Sequence, residues 1–424
     1  MKRRSFLVAS SALGLGTGVA LWKRARSSGP RAPTSAKLVK DPQGLLDLRE
    51  GFRYRVLEQA GARMSDGFRL PARPDAMGCF TLADGRLALM RNHELDAGHF
   101  AFGPALSGGK PPEHTYDPRQ AGGVTRLVLD AQGRRLSSNL VLTGTSRNCA
   151  GGVSPWGWLT CEESVVADHG YVFLCSPRAD KVEAPYRIPA YGRFMHEAVA
   201  IDPADHAAYL TEDRADGCLY RFVPTDKERP FGTGKLEALA VLGKPRFELG
   251  EELKEGAHFK LSWVPVAHEA GEREDGLRYA AQGGGAAVIR RGEGIWRMQD
   301  GFAFTSTSGG PIGSGQVFHL APTPDGGVLT LLAQSRDQNE LDMPDNLTLT
   351  PWGDLLVCED NLRSPYLRLI TQSGKVLPFA HNARSRSEFA GVCFSPDGNI
   401  LFVNIQEEGL TLAIEGPFEA LGTA

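Results

Sequence analysis

The chain has 424 residues, 47 Lys and Arg against 50 Asp and Glu, a formal net charge of −3, and 42% hydrophobic against 23% charged residues. This is the balance of an ordinary globular protein, long enough for one large domain or two ordinary ones, and it excludes the basic field that nucleic-acid binders carry. The 50 glycines and 27 prolines are spread along the chain, which favours many short strands joined by turns over long helices, and hence an all-β fold.

The first segment reads as an address. MKRRSFLVASSALGLGTGVALW carries Arg3-Arg4 ahead of an apolar run too short for a comfortable membrane span. It resembles a twin-arginine export signal, and this predicts passage through the twin-arginine export machinery to a periplasmic or secreted location. If the signal is not cleaved, the protein stays anchored to the membrane. RSSGPRAPTSA, from Arg26 to Ala36, reads as linker, so residues 37–424 form one domain.

From there one pattern recurs: a turn, five or six strand residues, then a polar cap. ADGRLALMRNHE ends at Glu94, PWGWLTCEE at Glu163 and DPADHAAYLTED at Asp213. QDGFAFTSTSGG, PWGDLLVCEDN and SPDGNILFVNIQ follow. The Asp-Gly and Trp-Gly cores are turn chemistry, and the apolar runs between suit strands covered on both faces. Units of about fifty residues, each able to supply four strands, predict a β-propeller of six blades. Equivalent strand ends of such a ring meet in one mouth, and the caps that meet there are acidic. Glu94, Glu162, Glu163, Glu212, Asp213, Glu359 and Asp360 stand at strand ends, and Glu197, Glu293 and Glu388 in what read as loops. Like charges a few ångström apart do not all ionise unaided, so the mouth is expected to hold cations. Carboxylates suit calcium or magnesium. A thiolate in the set argues for one softer or redox-active metal, iron or zinc.

The seven cysteines show no disulfide spacing. Cys79, Cys149, Cys175, Cys218 and Cys393 read as small buried hydrophobes, whereas Cys161, against Glu162 and Glu163, reads as the thiolate. His93 and His196 each precede a glutamate, either as orienters of a ligand or as plain core histidines. No nucleophile elbow, Walker loop or His-Glu-x-x-His helix is present.

NCAGGVSPWGWLTCEE, GRFMHEAVAIDP, EGIW with FTSTSGG, MPDNLTLTPWGDLLVCEDN and EFAGVCFSPDGNILFVNIQ together resemble the PhoX family of exported bacterial alkaline phosphatases. The resemblance covers essentially the whole chain after the signal. It implies a six-bladed propeller whose axial mouth holds ferric iron and calcium and hydrolyses small phosphate monoesters; the charge balance argues against a nucleic-acid partner, and no stable protein partner is evident. Carried onto this chain, the resemblance implies Cys161 as the iron thiolate with Glu162 beside it, and Glu293 and Glu388 as further ligands. Glu94, Glu197, Glu212 and Glu359 fall to calcium, and Arg386 is the phosphate clamp, since a guanidinium fork matches phosphate oxygens. The chain is shorter than the best-known members. A calcium-dependent propeller lactonase or esterase, or a binding propeller, is the alternative reading.

Overall fold

The computed structural model describes residues 37–104, 111–254, 256–267, 271 and 275–421. The expected export signal and linker, residues 1–36, lie outside them.

Three strands open the chain: β1 (Leu38–Val39), β2 (Leu46–Arg49) and β3 (Arg53–Gln59). Meanders of antiparallel strands follow. The first is β4 (Pro74–Thr81), β5 (Leu87–His93), β6 (Gly122–Leu129) and β7 (Arg135–Thr145). The second is β8 (Asn148–Ser154), β9 (Gly157–Glu162), β10 (Val172–Cys175) and β11 (Tyr186–Ile188). The third is β12 (His196–Ile201), β13 (Ala208–Glu212), β14 (Leu219–Pro224) and β15 (Gly234–Val241), after which β16 (His258–Pro265) and a short helix, α1 (Leu277–Gly283), intervene. The fourth is β17 (Gly292–Met298), β18 (Gly301–Ser306), β19 (Gln316–Thr323) and β20 (Gly326–Gln334). The fifth is β21 (Pro344–Leu349), β22 (Leu355–Glu359), β23 (Tyr366–Ile370) and β24 (Val376–Asn382). The last is β25 (Phe389–Phe394), β26 (Leu401–Ile405) and β27 (Leu410–Glu415).

The strands that begin these meanders are packed in a closed cycle, β4 on β8, β8 on β12, β12 on β17, β17 on β21, β21 on β25 and β25 back on β4. The last meander is completed by β3 from the other end of the chain, which pairs with β27 and locks the ring. This is a propeller, all-β as expected apart from α1 and short 3₁₀ turns. Separate blades were expected throughout, and here the structure differs. β16 hydrogen-bonds to both β15 and β20, merging two meanders into a nine-stranded sheet, so the described residues form five sheets. β1 and β2 extend a further sheet beyond β24.

The recurring phrases read from the sequence are the second strands, β5, β9, β13, β18, β22 and β26, each buried along its whole length. Between sheets lie large apolar side chains, among them Trp158, Phe302, Phe304 and Phe318, each removed from water at a gain of about 2–3 kcal/mol. The innermost strands approach one another through glycine. A Cβ at Gly152 would collide with the carbonyl oxygen of Val199 on β12, and one at Gly391, φ +66°, with that of Asp75 on β4.

Candidate metal centre

Each innermost strand carries a register shift within its first few residues: Pro74/Met77, Asn148/Gly151, His196/Val199, Gly292/Ile295, Pro344/Leu347 and Ala390/Cys393. A bulge re-aims the side chain next to it, and the second residues of five of these strands are Asp75, Cys149, Glu197, Glu293 and Asp345. Their ligand atoms converge with those of two strand-end acids. Asp75, Glu94 and Cys149 lie within 4.8 Å of one another, as do Cys149, Glu163 and Glu197, and Glu197, Glu293 and Asp345. Because Cys149 and Glu197 are each shared by two groups, the three form a continuous arc.

The residue after each second strand supplies an upper tier: Glu94, Glu163, Asp213 and Asp360, with Thr307 and Gln406 at the remaining two places. Backbone bonds place them. The N–H groups of Glu94, Glu163 and Thr307 donate to the carbonyls of Arg73, Arg147 and Arg291 at 3.0, 2.9 and 2.8 Å. Those arginines stand immediately before β4, β8 and β17 with φ of 46°, 53° and 53°, an uncommon left-handed setting for a residue with a Cβ. Their guanidinium groups lie among the acids. Arg147 bridges Glu94 (2.7 Å) and Glu163 (2.6 Å), and Arg291 reaches Glu293 (2.6 Å), Asp213 (3.1 Å) and Asp360 (3.1 Å). Arg73 lies 3.7 Å from Glu94 and 3.1 Å from Glu407.

Three arginines do not neutralise this many carboxylates. Glu197 is fully buried, and neither carboxylate oxygen has a hydrogen-bond partner; Asp75 Oδ1 and Asp345 Oδ1 lack one too. Burial, and then the carboxylates of Asp345, Glu163, Asp75 and Asp213, hold the Glu197 pKa well above the ordinary range. Glu293 is raised by burial and by Asp213, Asp345 and Glu197, and Glu388 by burial and by Asp360, Asp345 and Asp75. Burial pushes Glu163 up to about 8 against the pull of Arg147, and Asp345 to about 7, with Asp360 adding repulsion. The Cys149 thiol is raised by burial and by four surrounding acids. Orphaned buried oxygens beside a thiol, converging on one another, are a donor set suited to cations.

Four of the expected ligands are thus brought together at the axis: Glu94, Glu197, Glu293 and Glu388. Glu197 and Glu293 lie on innermost strands, not in loops, and Glu388 stands just before β25. Four are not. Glu162 accepts from the N–H groups of Ser146 (2.9 Å), Gly170 (2.8 Å) and Tyr171 (3.2 Å) and from His169 Nδ1 (2.6 Å). Glu212 accepts from Cys218 N–H (3.0 Å) and the Tyr220 hydroxyl (2.9 Å). Glu359 accepts from the N–H groups of Asp342 (2.9 Å) and Tyr366 (3.0 Å) and from Arg368 Nε (2.7 Å). These three occupy the same strand position and point away from the mouth, where they fasten neighbouring loops. The next residue along points into it, because side chains alternate along a strand.

Cys161 sits in the apolar packing with Leu159, Val172 and Tyr191 and belongs to none of the converging groups, so the thiol at the centre is Cys149. His93 and His196 are core histidines. His93 contacts the Ala72 carbonyl (2.9 Å) and the Thr125 hydroxyl (2.8 Å), and His196 stacks on Phe194 at 3.6 Å. Arg386 is exposed and, among the described residues, forms no hydrogen bond or ion pair. Asp75, Cys149 and Asp345 were not among the expected ligands. Their signal was a second repeat, the opening of each innermost strand in PDAMG, NCAGG, HEAVA, GEGIW and PDNLT.

A family model for alkaline phosphatase PhoX matches residues 34–409. The chain belongs to that family. With membership comes the enzyme class, phosphoric monoester hydrolase. The fold is similar to that of Pseudomonas fluorescens PhoX, solved in complex with vanadate, a transition-state analogue, at TM-score 0.67 and 18% identity over 90% of this chain and 97% of that one. Other solved structures are less similar to this PhoX family member. A luciferin-regenerating enzyme gives TM-score 0.46 at 11% identity, over 86% of this chain and 96% of that one. The gluconolactonase XC5397 from Xanthomonas campestris gives 0.40 at 12%, over 93% and 99%. No curated protein sequence matches the chain.

Proposed function

We propose that this phosphatase hydrolyses small phosphate monoesters at ferric iron and calcium ions held in the axial arc, and that it is exported by the twin-arginine route. The observation that carries the metal reading is Glu197, fully buried with both oxygens unpartnered between Cys149, Glu163, Glu293 and Asp345. Cys149 is the donor suited to iron. The carboxylates of Asp75, Glu94, Glu293, Asp345 and Glu388 suit calcium. Bound cations in such a site supply Lewis-acid stabilisation of phosphoryl oxygens and a nucleophilic oxygen at neutral or alkaline pH.

The chain's own residues divide the remaining work. Arg147 and Arg291 each bridge acids from different strands, so they hold the upper tier in place and soften its repulsion. Arg386, two residues before Glu388, is a guanidinium with no acid partner among the described residues, and is free to grip phosphoryl oxygens in a bidentate fork. Arg3-Arg4 supports export of a folded, metal-loaded protein.

The test is elemental analysis of natively exported protein alongside hydrolysis of a generic phosphate monoester. Iron and calcium together, with activity lost on chelation and regained on reloading, support the reading. Full activity after exhaustive chelation overturns it.

A further inference from the structure

Away from the axis, two adjoining strands of one sheet and the loop leading into a third bring together Asp47, His381 and Ser364. β2 and β24 are antiparallel neighbours with Asp47 directly opposite His381, and directly opposed residues share a face. β23 lies on the other side of β24 with Tyr366 opposite His381, and Ser364 stands two residues earlier. His381 Nδ1 is 3.1 Å from Asp47 Oδ2, and its Nε2 is 2.8 Å from Ser364 Oγ. A carboxylate only accepts, so in the neutral ring Nδ1 carries the proton and Nε2 accepts from the serine hydroxyl. Asp47 is itself fixed, its Oδ1 accepting the Asp41 N–H at 2.8 Å, and the Tyr366 ring lies 4.6 Å from the imidazole.

The base and the acid that orients it are thereby held by sheet register, and the nucleophile by the loop that leads into β23. A cavity of about 430 Å³ opens on Asp47 and His381, with Leu38, Val376 and Pro378 supplying apolar wall and Lys40, Glu340 and Arg368 charged wall. That is the size of a small-molecule site. Ser364 is exposed and meets the cavity wall through the His381 ring.

We propose that Ser364 is an activated nucleophile of a second site, independent of the metal centre, that takes small activated carboxylic esters. Ser364 Oγ bonds to the ester carbonyl carbon as its proton passes to His381 Nε2. The ester C–O bond then breaks, and His381 returns the proton to the departing alcohol. Water next adds to the acyl carbon, His381 takes its proton, and Ser364 leaves with that proton. Around the serine, the N–H groups of Arg363 and Ser364 both donate to Asn361 Oδ1, at 3.0 and 2.9 Å, and Pro365 has none. The site therefore has general-base assistance, about 10²–10⁴-fold, without the further roughly 10²–10³-fold of a preorganised oxyanion donor. Slow turnover and ready covalent capture are the expected signature.

The test uses the full metal-replete chain and an alkyl fluorophosphonate, which a serine displaces at phosphorus with loss of fluoride. Peptide mass mapping is expected to find one adduct, on Ser364, at a rate unchanged by chelation that abolishes phosphatase activity. Ser364→Ala should remove the adduct and leave phosphatase turnover intact. His381→Gln should slow labelling by about 10²-fold, and Asp47→Asn, which loses the tautomer, by at least about 10-fold. If His381→Gln fails to fold, Asp47→Asn decides. No adduct at Ser364, or one whose rate is indifferent to these replacements, means the three residues merely fasten β2 to its sheet, and the proposal falls.

Discussion

Thr305 Oγ1 donates a 2.9 Å hydrogen bond to the carbonyl oxygen of Asp345, the residue whose carboxylate enters the axial arc from the next innermost strand. The bond belongs to a series. Asn92 Nδ2 donates to the Cys149 carbonyl at 3.0 Å, Thr211 Oγ1 to that of Glu293, and Asn404 Nδ2 to that of Asp75 at 2.5 Å. Each donor is the next-to-last residue of a second strand, and each acceptor is an arc residue of the following meander. The gaps between blades are thus closed by bonds that also fix where the ligand backbones sit.

From this comes a first prediction. Thr305→Val keeps the side-chain volume but removes the donor, costing about 1 kcal/mol of stability. Loss of an outer partner of a metal ligand should weaken metal retention by about 10–100-fold. A chelator titration followed by metal analysis reads the second effect. A variant that is slightly less stable but holds metal as firmly as the parent would show that the tether acts on the fold alone.

A second prediction separates the two cysteines. Cys149→Ala should remove iron with little change in the melting temperature of the chelated protein, because the thiol stands among ligands and not in packing. Cys161→Ala should do the reverse, keeping the metal and costing about 1 kcal/mol through lost contacts with Leu159, Val172 and Tyr191. Iron absorption and thermal melts on both variants decide. Iron lost from Cys161→Ala and kept by Cys149→Ala would restore the expectation from the sequence.

How much of this was legible beforehand turns on one residue of register. The recurring phrases did mark the second strands, because turn chemistry and doubly buried apolar runs are local properties. Which acid faces the axis was not local. β9 begins at Gly157 and ends five residues on at Glu162, whereas the turn glycine Gly353 precedes β22 by two residues, so counting six from each glycine reaches Glu163 in one and Glu359 in the other. A slip of one position exchanges the two faces of a strand, and Glu212 and Glu359 fell on the wrong one, whereas Glu162 was expected as a ligand only from the resemblance, as the neighbour of Cys161. Cys149 was hidden for a related reason. Its side chain reaches the axis through a bulge, which leaves no alternation in NCAGG, while Cys161 stood conspicuously beside two carboxylates.

The third prediction concerns pH. Glu163 is raised from 4.5 to about 8 and Asp345 from 3.8 to about 7, so the metal-free folded state holds protons that the unfolded chain has already released. Stability is then fully present below the ordinary carboxyl pKa and is lost as pH rises through 7 and 8. The buried His93 and His196, both lowered to about 3, act in the opposite sense only below about 6.5, where the unfolded chain takes up their protons. Chelated protein should therefore melt lower at pH 8.5 than at pH 6.5, and His169, raised above the ordinary histidine value by its bonds to Glu162 and Asp117, acts in the same sense. Metal-replete protein should not show this fall, since bound cations favour the ionised form. A chelated protein whose melting temperature is flat or rising over that interval would mean the acids are ionised without metal.

The last prediction concerns Arg386. The arginines that line the mouth are committed to acids, Arg147 to Glu94 and Glu163, and Arg291 to Glu293, Asp213 and Asp360, whereas Arg386 is exposed and unpaired among the described residues. A substrate phosphate needs a guanidinium whose charge is not already spent. Arg386→Ala should lower turnover of a phosphate monoester by about 10²-fold or more, the scale of removing one positioned donor from a transition state, with metal content and melting temperature near normal. Arg386→Lys should recover only part, because an ammonium cannot form the bidentate fork. Arg147→Ala should behave differently, disturbing metal content and stability together, since it leaves Glu94 and Glu163 uncompensated. If Arg386→Ala turns over substrate like the parent while Arg73→Ala does not, the clamp is Arg73, which lies 3.7 Å from Glu94 and pairs with the exposed Glu407 at 3.1 Å.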